Sequence, residues 1–147
     1  MLIVDTREKK NQLIINYLER NKIPYKKQKL DVGDYAIEGD NSIVVDRKQN
    51  LDEIAQNIIC SDKRRFYREI RRARANGQKV IILCEHGGRI KSINDVYKWN
   101  SKYTQISGKA LADCIFECHI AYGIEFLFCD KRSTGRRICE ILGILDE

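Results

Sequence analysis

Residues 32–48 read VGDYAIEGDNSIVVDRK, and this stretch decides the fold class. It contains two extended runs, 34–38 and 42–48, which are separated by a Gly-Asp-Asn turn. Outward from this hairpin, short β-branched runs alternate with longer stripes of apolar residues at helical spacing. Such an alternation is typical of a layered α/β architecture. The sequence therefore predicts an α/β fold with a central mixed β-sheet flanked by α-helices.

The same two patterns, short β-branched runs and apolar residues at helical spacing, predict the other elements. Strands are predicted at 2–5, 25–30, 34–38, 42–48, 79–84 and 124–129, and helices at 11–20, from 52, at 62–75, at 107–122 and from about 133. The three runs between 25 and 48 follow one another directly, which predicts an antiparallel meander. Ser107 is expected to cap the long helix, and Ser133 or Thr134 the last one.

Composition limits the function classes. The chain has 147 residues, a net charge of +6 and a sequence pI near 9.0; 43% of its residues are hydrophobic and 33% are charged. These values predict a single soluble, basic, folded domain and exclude an unfolded polyampholyte. The first residues, MLIVDTREKK, resemble neither a secretory signal nor a membrane span. The protein is therefore expected to be cytoplasmic, with no membrane contact and with its six cysteines reduced.

Two carboxylates and a lysine are expected to meet at the end of the hairpin. Side chains alternate along a strand, so Asp46 and Lys48 share one face and Arg47 points to the other. If the strands pair through the turn, Asp34 lies near the same end, although the register is not fixed by sequence. Hydrolysis of a phosphodiester needs a divalent cation held by carboxylates, and a lysine can orient the attacking water. Taken singly, each of these residues also fits a turn or the solvated end of a strand.

Further motifs surround the trio in a fixed order. VDTRE lies at 4–8, VGDY at 32–35, DRK at 46–48, and Arg65-Phe66 on the following helix. The Asp-x11-Asp-x-Lys spacing is that of the PD-(D/E)XK superfamily, and the ordered set resembles the nuclease domain of the XPF-type structure-selective endonucleases. The resemblance runs through CEHGG at 84–88 and more weakly to FCD at 128–130. It implies a restriction-endonuclease-like fold and a metal-dependent DNA endonuclease that cuts flaps, forks or junctions during repair, recombination or replication.

The resemblance also implies a set of metal ligands. Asp5, with Glu8 as a further candidate, would join Asp34 and Asp46 around Mg²⁺ or Mn²⁺. This chain has Asp46 where the family usually has Glu, which shortens the reach toward the metal by one methylene group. The wider superfamily accepts either acid at this position.

Basic residues complete the candidate site. On the resemblance, Arg47 and Lys48 complete the family's Glu-Arg-Lys motif; Lys48 would position the water, while Arg47 and Arg65 would hold the scissile phosphate or brace the carboxylates. The helix at 62–75 has seven basic residues, whose mutual repulsion disfavours a helix unless anions or acids offset it. A phosphate-binding role and a solvated charged face both stay open. The candidate DNA contacts are Arg7, Arg64, Arg65, Arg68 and Arg72.

Two further expectations concern partners. Glu85 is either an outer acid of the site or the partner of a nearby arginine. The last two helices have more apolar positions than one sheet face needs, and XPF-type domains commonly pair through this part, so a homodimer through Leu142, Ile144 and Leu145 is expected.

Domain organisation leaves two alternatives open. The chain is interpreted as one XPF-type nuclease domain over residues 1–147, without the helix-hairpin-helix or helicase domains common in the family, so a separate DNA-binding partner protein is a further expectation. One alternative is a Holliday-junction resolvase of the same superfamily, which needs two active sites related by a two-fold axis. The other is a non-catalytic DNA-binding or dimerisation subunit, which predicts degraded motifs.

Overall fold

A mixed six-stranded sheet lies between two groups of helices in the computed structural model, which describes residues 1–145. The strands are β1 (Leu2–Val4), β2 (Tyr25–Lys27), β3 (Tyr35–Ile37), β4 (Asp40–Lys48), β5 (Lys79–Cys84) and β6 (Glu125–Phe128). The helices are α1 (Gln12–Arg20), α2 (Leu51–Ile58), α3 (Lys63–Ala75), α4 (Ile93–Val96), α5 (Gly108–Tyr122) and α6 (Thr134–Ile141). The predicted α/β class with a mixed sheet is confirmed. The last two residues of the predicted domain, 146 and 147, lie outside the described part.

The strand order β2-β1-β3-β4-β5-β6 corrects the predicted meander. β3 and β4 are antiparallel as expected, but β2 pairs in parallel with β1, and β1 separates β2 from β3. Parallel strands need a crossover connection, and α1 is that connection between β1 and β2. β4, β5 and β6 are also parallel neighbours, with α2, α3 and α5 in the connections between them.

Alternating side chains divide the core between the two faces of the sheet. Val45 of β4 lies on the face that packs against α1 and α6, with Leu18 and Ile138 among its cluster. Val44 lies on the opposite face, in the larger cluster formed with α2, α3 and α5. The residues that follow them continue this alternation, so Asp46 and Lys48 emerge on the α2–α3 side and Arg47 on the α1–α6 side.

Three local expectations have different outcomes. Ser107 caps α5 as predicted, because its side chain accepts a hydrogen bond from the backbone N–H of Ala110 at 3.1 Å. The side-chain cap predicted for α6 is wrong: Ser133 makes no capping bond, and the Thr134 hydroxyl donates to the Glu85 carboxylate instead. The short helix α4 was not predicted, since its four residues are too few for a periodic stripe.

The carboxy-terminal residues expected at a dimer interface lie partly within the domain's own core. Leu142, Ile144 and Leu145 pack against the cluster between the sheet, α1 and α6. On α5, Phe116 and Ile120 are large apolar side chains that stay exposed, at 51% and 69%. Within the described residues, no helix is long and apolar enough to cross a membrane.

Candidate active site

Asp34, Asp46 and Lys48 meet in one cleft where β3 begins and β4 ends. The backbone N–H of Asp34 donates to Val45 O at 2.8 Å, and the backbone N–H of Arg47 donates to Asp34 Oδ2 at 2.8 Å. Lys48 Nζ lies 3.2 Å from Asp46 Oδ2, and both of these side chains are only 13% exposed. The predicted convergence of the trio is therefore present, and the hairpin backbone itself holds the Asp34 carboxylate in place.

The electrostatics of the trio are those of two acids that share a site with one cation. Burial and the nearby Asp46 carboxylate raise the pKa of Asp34 well above its usual value. Burial disfavours the ammonium of Lys48, but Asp46, Glu53 and Asp34 outweigh it and raise the pKa of Lys48. Lys48 is therefore a cation at neutral pH, held beside the Asp46 carboxylate.

The cleft has a volume of about 290 Å³ and is lined by residues from five elements or their flanking loops. Sequence analysis missed Asn57 and Glu69, which line it from α2 and α3, and Asp52 and Glu53, which line its continuation. Glu69 lies four residues after Arg65, which also lines the cleft, so their shared helix face was a usable signal.

Glu69 has a hydrogen-bond partner in the protein, whereas the side-chain oxygen of Asn57 has none. Glu69 accepts a hydrogen bond from the backbone N–H of Gly33 at 3.0 Å, while burial and Asp46 raise its pKa. Asn57 is 7% exposed, and its buried Oδ1 atom has no hydrogen-bond partner. An unpaired buried oxygen is unfavourable without a donor or a cation. The Asp34 and Asp46 carboxylates are hard oxygen donors of the kind that Mg²⁺ and Mn²⁺ prefer, and Asn57 lines the same cleft.

The other two expected metal ligands are bound to arginines. Both oxygens of Asp5 accept hydrogen bonds, from Arg7 and from the backbone N–H of Leu30, the latter at 2.7 Å. Both oxygens of Glu8 accept from Arg47, at 2.6 and 3.0 Å. In the described part of the chain, no three acidic, histidine or cysteine side chains form a ready-made metal cage. Asp5 nevertheless lines the same cleft as Asp34 and Asp46, and Glu8 lines the continuation of that cleft.

Arg47 lies on the opposite face of β4 from the cleft, in a buried ionic network. Its side chain is 3% exposed and contacts Glu8, Glu85 and the backbone carbonyl of Lys9. The Tyr35 hydroxyl donates to Glu8 Oε2 at 2.7 Å. Burial alone would favour neutral arginine, but the two acids raise the pKa of Arg47. The side chain therefore joins β4 to the Glu8 loop and to the end of β5, and its backbone N–H holds Asp34.

Of the two roles expected for Glu85, the structure shows the ion pair with an arginine: Glu85 pairs with Arg47 and accepts a hydrogen bond from the Thr134 hydroxyl.

The arginines predicted to contact DNA lie in three places. Arg7 and Arg65 line the cleft and are 62% and 75% exposed. Arg64 and Arg68 lie on the other flank of α3, and Arg72 donates to the backbone carbonyl of Asp31.

Gly33 allows the close approach that sets Asp34 in position. It has φ +77°, and a Cβ atom there would lie 3.1 Å from Val44 Cβ and 3.2 Å from Val45 O. Gly33→Ala is therefore expected to lower the free energy of unfolding by about 2 kcal/mol, from left-handed strain and the clash together. Urea unfolding measures this loss. Gly39→Ala is the matched control, because Gly39 has φ +81° and no atom within 4 Å of the added Cβ. Equal losses in the two variants would contradict a tight contact at Gly33.

Comparison with known proteins gives the same fold and a family. Residues 4–140 match the ERCC4 domain family. Two solved structures are similar: XPF from Aeropyrum pernix in complex with DNA (TM-score 0.72, 20% identity, 97% of this chain and 63% of that one) and XPF from Aeropyrum pernix (TM-score 0.71, 18% identity, 100% and 67%). The comparison with curated proteins found no match.

These comparisons cover nearly the whole chain but not the whole of its relatives. The chain spans about 63% of the length of XPF from Aeropyrum pernix in its complex with DNA, and at this level of identity the likeness extends to the fold. The family match extends from the last residue of β1 to α6 and so includes the β3–β4 hairpin and α3. The resemblance to XPF-type nuclease domains is confirmed, and the chain belongs to the ERCC4 domain family.

Proposed function

We propose that this domain is a divalent-metal-dependent endonuclease that hydrolyses phosphodiester bonds in branched DNA, such as flaps, forks or junctions. The observation that supports it most directly is the meeting of Asp34, Asp46 and Lys48 in one cleft. Membership of the ERCC4 domain family supports DNA as the substrate. The net charge of +6 favours a polyanionic partner, because cations that bind phosphates release counterions.

Asp34 and Asp46 are the proposed ligands of Mg²⁺ or Mn²⁺, with Asp5 and Glu8 as further candidates and with Asn57 lining the same cleft. Protein Mg²⁺ sites commonly use one or two carboxylates and leave the other positions to water and substrate phosphate, which suits a pair of acids. When bound, such a cation lowers the pKa of an attacking water and offsets charge on the phosphate. Its positive charge would also favour the ionised form of Asp34, whose pKa is raised by burial and by the nearby Asp46.

Lys48 acts in this proposal as a hydrogen-bond donor. Its raised pKa keeps it protonated, so it does not accept the proton of the attacking water. The ammonium instead orients that water or binds a non-bridging phosphate oxygen, and Asp46 keeps the ammonium in position at 3.2 Å. Arg7 and Arg65, exposed at the cleft, supply cations for the neighbouring phosphates. Pairing of two copies through the carboxy-terminal part, and a separate DNA-binding partner, remain parts of the same proposal.

The test is a labelled panel of single strand, duplex, 3′ flap, fork and four-way junction, incubated with Mg²⁺, with Mn²⁺ or with EDTA. We expect branched DNA to be cut with either metal, no cutting in EDTA, and recovery when excess metal is restored. Paired, symmetric cuts in the junction alone would favour the resolvase alternative. Binding of DNA without cutting in either metal would contradict the proposal and leave a non-catalytic subunit.

A further inference from the structure

Helix α3 contains the entire net charge of the chain. Seven of the 27 basic residues and one of the 21 acidic residues lie in Lys63–Ala75, which gives this helix a charge of +6. The rest of the chain has 20 basic and 20 acidic residues and is neutral. The attraction for a polyanion is therefore concentrated on one 13-residue helix rather than spread over the surface.

The charges of α3 are arranged unfavourably for the free helix. Arg68 has an arginine at each of the positions i−4, i−3, i+3 and i+4, where like charges destabilise a helix. On α5 and α6, in contrast, Lys109 is paired with Asp113 and Arg136 with Glu140. Among residues 1–145, the only ion pair within 4 Å on α3 joins Arg65 to Asp62, at 3.6 Å. A helix with such an excess of positive charge is stabilised when a polyanion binds to its surface.

A groove follows the flank of α3 that faces away from the cleft. It has a volume of about 580 Å³, and four cations line it together with two aromatic rings: Lys63, Arg64, Arg68, Arg71, Tyr67 and Tyr122. No acidic side chain of the described residues lines it. Since a helix with its side chains is about 10–12 Å across, one DNA molecule can contact the cleft and this groove together.

The two tyrosines of the groove are half-buried and pack against the core. Tyr67 lies near the Ile58 carbonyl and Cys118 Sγ, both 3.3 Å from its hydroxyl oxygen. The Tyr67 and Tyr122 ring centroids are 5.5 Å apart, and the guanidinium of Arg74 lies 5.8 Å from the Tyr122 centroid. Fixed rings within a positively charged groove are the pattern by which proteins bind single strands, with bases against the rings and phosphates on the cations.

We propose that this groove, named here the α3 groove, binds a single-stranded arm of the DNA substrate while the cleft binds the strand that is cut. The inference rests on the proposed function for the identity of the substrate. It adds a second binding surface, on the opposite flank of α3, which makes the domain select DNA with a single-stranded arm over plain duplex.

The test compares two triple variants by fluorescence anisotropy in EDTA, so that no cleavage is needed. Arg64→Ala/Arg68→Ala/Arg71→Ala removes three cations from the α3 groove. Lys79→Ala/Lys109→Ala/Arg136→Ala, the matched control, removes three exposed cations elsewhere that pair with acids. We expect the first variant to bind a fork with single-stranded arms about tenfold more weakly, and the slope of log affinity against log salt to fall by about 2. A plain duplex of equal length should lose less than about threefold, and the control should change neither affinity.

A second variant tests the aromatic part. Tyr122→Leu leaves the charge unchanged, so we expect it to weaken binding of the single-stranded arm by about fivefold with the salt slope intact. Thermal unfolding of all variants checks that they are folded; the α3 triple variant should melt higher than wild type at low salt, because like-charge repulsion is relieved.

The outcomes separate this inference from the proposed function. Fork affinity equal to that of the control variant would overturn the α3 groove, even if the wild type cuts DNA. Equal losses on fork and duplex would overturn the single-strand assignment. Selective loss on the fork would support the groove even if the wild type cuts nothing, in which case only the nuclease proposal would fail.

Discussion

Arg47→Ala is expected to lower the free energy of unfolding by about 3–5 kcal/mol, the usual cost of removing one partner from a buried ion pair. Arg47, Glu8 and Glu85 have side chains that are 3%, 8% and 8% exposed, so the variant leaves two acids buried without a cation. A domain of this size typically has 5–15 kcal/mol in total. Urea unfolding followed by circular dichroism measures the loss, and cleavage should fall only as far as the folded fraction falls.

Two controls identify the cause of that loss. Arg136→Ala removes an exposed arginine from an ion pair with Glu140 and should cost no more than about 1 kcal/mol. Arg47→Met/Glu8→Gln/Glu85→Gln should be more stable than Arg47→Met alone, because the acids are then neutral. The deficit of Arg47→Ala relative to wild type should also shrink as pH falls from 7 toward 5, since buried unpaired acids have raised pKa values and are favoured when protonated. Wild-type stability in Arg47→Ala would contradict this structural role.

The division between Lys48 and Arg47 was predictable from strand geometry alone. Successive side chains of a strand point to opposite faces, so Asp46 and Lys48 had to share one face and Arg47 the other. The contacts of each face depend on which helices pack against it, and local sequence patterns do not predict that packing. The sequence therefore left two roles open for Arg47, at the phosphate or bracing the carboxylates. In the structure the side chain is buried against the Glu8 and Glu85 carboxylates, which favours the bracing role, and the backbone N–H contacts Asp34.

Long-range pairing also explains the other differences between expectation and structure. The strand β2 (Tyr25–Lys27) precedes β3 along the chain, but it pairs with β1. The crossover through α1 brings the chain back beside β1, so that β2 runs parallel to it. Asn57 and Glu69 reach the cleft only because α2 and α3 dock on the same face of the sheet. Their spacing from Asp46 in sequence has no relation to their distance in space.

Asp46→Asn is expected to slow DNA cleavage strongly. Asp46→Asn keeps the shape and the neighbours of the side chain but removes the charge that pairs with Lys48 and repels Asp34. We expect the single-turnover rate of cleavage to fall by about 10³-fold, because several kcal/mol of charge stabilisation at the phosphate depend on this acid and each 1.36 kcal/mol is tenfold in rate. Stability should change little, because relief of the repulsion between the two acids offsets the lost pairing with Lys48. Affinity for DNA measured in EDTA should stay within about threefold of wild type, because Asp46 is an acid rather than a phosphate contact.

The most direct test of the cleft as a metal-dependent active site is therefore the single-turnover cleavage of a labelled fork in Mg²⁺ by wild type beside Asp46→Asn, with both proteins saturating the DNA. The proposed mechanism predicts cutting by wild type that EDTA abolishes, and a rate about 10³-fold lower in the variant at equal DNA binding and equal stability. Cutting by Asp46→Asn at the wild-type rate would contradict it and would mean that the Asp34–Asp46–Lys48 cleft is not where the phosphodiester is hydrolysed.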